Sequence, residues 1–251
     1  MQTKDDTLAK LLRSFNLSTM ATISAEALLE AEKKNWTHRE LLLHMCECEA
    51  QERSKKLTER LLKQSCLPLG KTIETLKTAL LSEKVRRQLP QLLEGNFIDR
   101  HENILAFGLP GRGKTHFLAA LGHELILRQK RRVLFMPTFK LVERLLLAKK
   151  ESKLEAALKK LDYFEVVILD DIGFVQQNRE EMEVLFTFLA DRYERRSLMV
   201  TSNLVFSQWD QIFRDPMTTA AAIDRLIHHS IILEFTGDSH RTKSAKEKIK
   251  E

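Results

Sequence analysis

The stretch GLPGRGKT, residues 108–115, decides how the rest of the chain is read. It fits the pattern G-x-x-x-x-G-K-[ST], with the apolar run NILAF immediately before it and HFLAALGHEL immediately after. A strand, a glycine loop and a helix in that order turn successive backbone N–H groups onto one anion. The positive end of the helix dipole points at the same place. Bulky side chains would obstruct that approach, so glycines recur. Gly108, Leu109, Pro110, Gly111, Arg112, Gly113, Lys114, Thr115 and His116 are therefore the expected seat of a nucleotide's phosphates. Lys114 should reach the β- and γ-phosphates and the Thr115 hydroxyl should ligate Mg2+. The competing reading, a glycine turn that merely joins strand to helix, loses to the presence of both flanking elements.

Outward from the loop, short apolar runs alternate with helical stretches. NILAFG, RVLFMP, FEVVILDD, SLMVTSN and SIILEF read as strands. The segments between them, such as THFLAALGHELILRQ and REEMEVLFTFLADRYERR, carry apolar residues at three- and four-residue spacing. That alternation predicts βα units and a mainly parallel sheet of the α/β class. EVVILDD ends its strand in Asp170 and Asp171. The first carboxylate is expected in the Mg2+ shell, the second beside the attacking water. SLMVTSN puts Thr201, Ser202 and Asn203 at the end of the fourth strand, where the Asn203 amide can sense the γ-phosphate. There is no guanine-reading N-K-x-D element and no obvious arginine-rich lid. The order of loop, acidic strand and polar strand end points to an ATPase of the oligomeric, switch-like kind.

The first third of the chain reads as helix. Leu8, Leu11, Leu12 and Phe15 share one face, and residues 37–63 run without proline or glycine. Pro68 and Gly70 break that run, and another helix is expected over residues 84–94. The expected domains are a helical interaction domain at 1–66, a connector at 67–95, the ATPase module at 96–236 and a basic tail at 237–251. A chain of 251 residues, 43% hydrophobic and 30% charged, has the composition of a folded globular protein. No apolar run approaches the ~20 residues of a membrane span, so no membrane partner is expected. MQTKDDTLAK has neither the apolar core nor the cleavage site of a secretory leader. Cys46, Cys48 and Cys66 form no paired framework, and a cytoplasmic location is the expectation. The formal net charge of +6 suggests a polyanionic partner, nucleic acid being the commonest.

With those residues in view, the chain resembles the AAA+ ATPases. Within them it resembles the IstB-like proteins that help insertion-sequence transposases, a branch close to the DnaC helicase loaders and DnaA initiators. The resemblance extends over nearly the whole chain. It rests on ELLLHMCECEAQERSKKLTERLLKQSCLP, FIDRHENILAFGLPGRGKTH, TSNLVFSQW, AAIDRLIHHSIILEF and GDSHR. It implies a three-layer module with a five-stranded sheet, ATP held between subunits of a homo-oligomer, double-stranded DNA as ligand and a cognate transposase as partner. Arg225, in AIDRL, then matches the arginine finger that completes a neighbour's site. Arg241 falls where the family has a late arginine after Tyr, here replaced by His240. Asp171 stands where many relatives have Glu, which implies slow hydrolysis.

The resemblance also places DNA-facing helices after the second strand. Arg131 and Arg132, in RQKRR, and Lys140 and Arg144 further on are the candidate phosphate contacts. On a helix Lys140, Arg144 and Leu147 share one face, and Leu141, Val142, Leu145 and Leu146 the other. Other groups read as bland: no zinc site is expected at His44, Cys46 and Cys48, and His228 and His229 read as packing or capping groups. No carboxylate set for DNA strand transfer is apparent. Two alternatives stay open: a DnaC-like loader of a replicative helicase, and a module that uses ATP purely as a conformational switch.

Overall fold

The computed structural model describes residues 2–174, 179–204, 224 and 226–236. The chain forms two compact units, residues 1–60 and 61–251. Among the described residues no helix is long and apolar enough to cross a membrane.

The first unit is helical: α1 (Gln2–Ser14), α2 (Ser18–Lys34) and the start of α3 (His38–Ser65). Its small core is Met20, Ala27 and Met45, with Leu12, Leu17 and Leu41 packed against it. The turn into α3 is a capping box. Thr37 N–H donates to Glu40 Oε2 at 2.7 Å, and Glu40 N–H donates back to Thr37 Oγ1 at 3.3 Å. The start of α2 has no such device of its own, because Leu17 precedes it. Glu49 of α3 supplies the acceptor instead. Its Oε2 accepts from the N–H groups of Thr19 and Met20 at 2.8 and 3.0 Å, and its Oε1 from Arg53 Nε at 2.8 Å. These bonds outweigh the burial of Glu49 and hold its carboxyl below the usual range.

The second unit carries α4 (Glu83–Leu93), α5 (Asn96–Asp99), β1 (Asn103–Phe107), α6 (Lys114–Gln129), β2 (Val133–Pro137), α7 (Thr138–Lys150) and α8 (Leu154–Asp162). It continues with β3 (Val166–Asp170), α9 (Arg179–Arg192), β4 (Ser197–Ser202) and β5 (Ser230–Glu234). The five strands lie in the order β2-β3-β4-β1-β5, every neighbouring pair parallel. Each apolar run expected to be a strand is one. Successive residues point to opposite faces, so both must be covered. Leu105, Val167, Leu169, Leu198 and Val200 pack with α7, α8 and α9 on one face. On the other, α6 comes so close that a Cβ on Gly122 would lie 2.9 Å from Ile168 Cδ1.

Residues 139–160 contain neither proline nor glycine, yet they are split between α7 and α8. Ser152 takes a left-handed φ of 57°. Lys153 N–H then bonds to Ala148 O at 2.7 Å and Ser152 N–H to Lys149 O at 3.0 Å, the paired bonds of a Schellman stop. The amphipathic face predicted for α7 is present. Leu141, Val142 and Leu145 are buried, while Lys140, Arg144 and Leu147 are exposed.

Two buried polar side chains hold the N-terminal ends of the strands. The Arg192 guanidinium, 1% exposed, donates to the carbonyls of Leu161, Phe164, Glu165 and Ser197 at 3.0–3.3 Å. Asn103 N–H donates to His229 O at 2.6 Å, and its side chain joins Leu226 O to Leu198 N.

Candidate functional site

The C-terminal ends of β1, β3 and β4 converge on one cleft, as the rule for ligand sites in open parallel sheets requires. The loop after β1 is shaped by its glycines. Gly108, Gly111 and Gly113 have φ values of 146°, 80° and 90°. Gly108 has a second reason to lack a side chain, since a Cβ there would sit 2.3 Å from the carbonyl oxygen of Phe235. That same carbonyl accepts from Arg112 Nη1 at 3.1 Å. The end of β5 is thus the backstop of the loop.

Lys114, 6% exposed, opens α6. Its ammonium donates to Gly108 O, to Leu109 O at 3.1 Å and to Asn203 Oδ1 at 2.6 Å. The Thr115 hydroxyl donates to Asp170 Oδ1 at 2.7 Å. Asn203 Nδ2 lies 3.1 and 3.0 Å from the two oxygens of Asp171. Burial raises the Asp171 carboxyl above its ordinary value, and Asp170 beside it adds to the effect. Lys114 and Asn203 offset part of this. Asp171 also adopts a left-handed φ of 59°, a strained conformation for a residue with a side chain.

Lys114, Thr115, Asp170, Asp171 and Asn203 are therefore gathered in one place. So are Pro110, Gly111, Arg112, Gly113 and His116, which line the same cleft of about 520 Å3. Two contributions escaped the sequence reading. Thr201 Oγ1 donates to Asp170 Oδ1 at 2.8 Å and accepts from Asp171 N–H at 2.8 Å, so one hydroxyl locks both acids. The segment before α4 also forms a wall, through Lys71, Thr75, Leu76, Lys77 and Leu81. His116 meets that wall: its Nε2 lies 3.0 Å from Thr75 Oγ1 and 3.3 Å from Thr72 O. Burial lowers the His116 pKa.

The other candidates lie elsewhere. Arg131 and Arg132 precede β2, at the opposite end of the strands. Arg131 is paired with Asp99 at 2.7 Å and Glu165 at 3.0 Å, and Arg132 with Glu165 at 3.3 Å. Arg132 also stacks over the Tyr163 ring at 4.8 Å. Lys140 and Arg144 stay on the exposed face of α7, with Phe139 (52% exposed) and Leu147 (59% exposed) beside them. Arg225 and Arg241 lie outside the described residues.

The family profile described as IstB-like ATP binding protein matches residues 9–248. The chain is 39% identical over 241 residues to an insertion-sequence ATP-binding protein of Sinorhizobium fredii, covering 96% of this chain and 80% of that one. It is 40% identical over 225 residues to the insertion sequence IS21 ATP-binding protein of Pseudomonas aeruginosa, covering 88% and 83%. Among solved structures, the DnaC helicase loader superposes with a TM-score of 0.53 at 17% identity, covering 61% of this chain and 89% of that one. AMPPCP-bound DnaA from Aquifex aeolicus gives 0.58 at 21% identity, covering 74% and 56%. At those identities the structural likenesses carry the fold, the parallel-sheet AAA+ module, and the sequence matches carry the family. A glycine loop, two strand-end acids and a strand-end amide are built into that fold, and the chain belongs to the IstB-like ATP-binding proteins.

Proposed function

We propose that this protein is an ATP-dependent transposition helper. It self-assembles on duplex DNA, engages a partner transposase, and is remodelled when ATP is hydrolysed to ADP and phosphate. The observation that carries the catalytic half is the link Lys114–Asn203–Asp171. One amide joins the residue suited to phosphate oxygens to the residue suited to the attacking water.

The groups divide the work by chemistry. The loop N–H groups and Lys114 bind phosphate oxygens. Thr115 and Asp170 offer a hydroxyl and a carboxylate at 2.7 Å, a hard oxygen pair that fits Mg2+. That ion, when bound, neutralises charge on the β- and γ-phosphates. Asp171 accepts from the lytic water, and Asn203 holds Asp171 in place. Arg225 of a neighbouring copy would approach the γ-phosphate, which makes hydrolysis depend on assembly.

The reading of DNA contact rests on α7. Arg131 and Arg132 are bound to carboxylates, so of the four candidate cations Lys140 and Arg144 are the two left for phosphates. Beside them, Phe139 and Leu147 give the face an apolar character that a purely solvated helix face would not need. The engagement of a transposase is supported by the insertion-sequence relatives, which match over most of the chain.

The test is binding to labelled duplex and single-stranded DNA, each with ATP and with ADP, at one stated salt concentration. Lys114→Ala is run alongside. Cooperative, ATP-dependent duplex binding lost in the variant is the expected result. A preference for single strands would favour helicase loading, and no DNA binding in any state would overturn the DNA half of the proposal.

A further inference from the structure

Away from the nucleotide cleft, at the N-terminal ends of the strands, Glu194, His228 and His229 bring their donor atoms within 4.8 Å of one another. Glu194 follows α9, and the two histidines immediately precede β5. His229 Nε2 lies 3.4 Å from Glu194 Oε1, and the two imidazole rings stand edge to face with centroids 4.4 Å apart. Glu194 and His229 are within reach of each other, and a third donor, from His228, shares the same small volume.

We propose that these three residues form a binding site for a divalent transition-metal ion of the Zn2+ class. Zinc takes nitrogen and oxygen ligands at ~2.0–2.2 Å in tetrahedral geometry, which separates neighbouring ligand atoms by about 3.3–3.6 Å. The Glu194–His229 distance already falls in that range. Two imidazoles and one carboxylate suit Zn2+, Ni2+ or Cu2+ rather than Mg2+ or Ca2+, which prefer an all-oxygen shell. The exposure of all three residues leaves the fourth position to water. The Tyr193 hydroxyl, 3.3 Å from His228 Nδ1, is the kind of outer partner that fixes the orientation of a ligating ring.

The backbone beneath the site is held by hydrogen bonds on both sides. The turn bearing the histidines is pinned by Asn103, which binds the carbonyls of Leu226 and His229. The turn bearing Glu194 closes on the Arg192 carbonyl, which accepts from Arg195 and Arg196 N–H at 3.0 Å each. The Arg192 side chain is itself buried among carbonyls. A site on such supports needs little reorganisation to bind. The bound ion would cross-link the end of α9 to the entry of β5.

The experiment is a titration of the 251-residue chain with Zn2+ against a chromophoric chelator, without nucleotide and with saturating Mg2+ to mask the cleft carboxylates. About one Zn2+ per chain is expected. His229→Ala, His228→Ala and Glu194→Gln should each weaken it about tenfold or more, with circular dichroism confirming that each variant stays folded. Cys48→Ser guards against the competing thiol donors in α3 and should change nothing. Absence of Zn2+ binding, binding indifferent to the three substitutions, or binding abolished by Cys48→Ser would overturn the proposal.

Discussion

The Asn203 amide bridges Lys114 and Asp171, accepting from the ammonium through Oδ1 at 2.6 Å and donating through Nδ2 to both carboxylate oxygens. One side chain at a strand end thus ties together the two groups proposed to bind phosphate and to activate water. Asn203→Ala should lower turnover by about a hundredfold. ATP affinity should fall by only a few-fold, because the loop N–H groups remain. Single-turnover hydrolysis beside titration with a fluorescent ATP analogue separates the two effects. Equal loss of both would mean that Asn203 serves binding alone.

Asp171 carries a cost in the folded chain. Burial and the neighbouring Asp170 raise its carboxyl above the ordinary value of an aspartate. The folded chain therefore holds that proton more tightly than the unfolded chain. Its contribution to stability is greatest at low pH and is lost as pH rises through the raised folded value. Asp171→Asn should then raise the thermal midpoint at neutral pH while abolishing hydrolysis. A lower midpoint would place Asp171 among the stabilising residues instead.

Gly108 is required twice, by its φ of 146° and by the Phe235 carbonyl 2.3 Å from any Cβ. Gly108→Ala should cost about 1–3 kcal/mol from backbone strain and prevent ATP binding even where the chain still folds. Gly70→Ala is the matched control. That residue also has a positive φ, 78°, but nothing lies within 4 Å of an added Cβ. Denaturant unfolding and nucleotide titration of the pair distinguish strain from collision.

Glu49 caps a helix from outside it. Its carboxyl is held below the usual range, so its stabilisation is present above about pH 4.5 and disappears as pH falls through the folded value. Glu49→Gln should destabilise the first unit by about 1–2 kcal/mol at pH 7 and by much less at pH 3. Hydrogen exchange at the Thr19 and Met20 amides reads the effect locally.

Each of the five strands could be read as a short apolar run, and β1, β3 and β4, buried almost throughout, have no polar alternation to confuse them. That the loop, Asp170, Asp171 and Asn203 would meet at one cleft could be read because spacing and flanking elements constrain them together. What escaped depended on partners distant in sequence. Thr201 looked like one polar residue among three, and only folding put its hydroxyl between two acids. Lys71 and Thr75 belonged to what read as a connector, with no local mark of a cleft wall. RQKRR read as a basic patch because Asp99 and Glu165, which pair with its last two arginines, lie on other segments. The Ser152 stop carries neither glycine nor proline, the residues by which such breaks are recognised. Glu49 sits on a helix whose local pattern gives no hint that it completes another.

The placement of β1 has a consequence for the order in which the protein is made. This strand carries the nucleotide loop, yet its hydrogen-bonding neighbours are β4 and β5, with Ile104 beside Met199 and Asn103 beside Ser230. The loop itself leans on Phe235. As the ribosome delivers the chain, the earliest strand waits for the two latest, and those non-local pairings are the slow ones to close. The nucleotide site is consequently a late product of synthesis. A nascent chain that stops before β5 has the glycine loop in its sequence but lacks the strand that pairs with β1 and the carbonyl on which the loop leans.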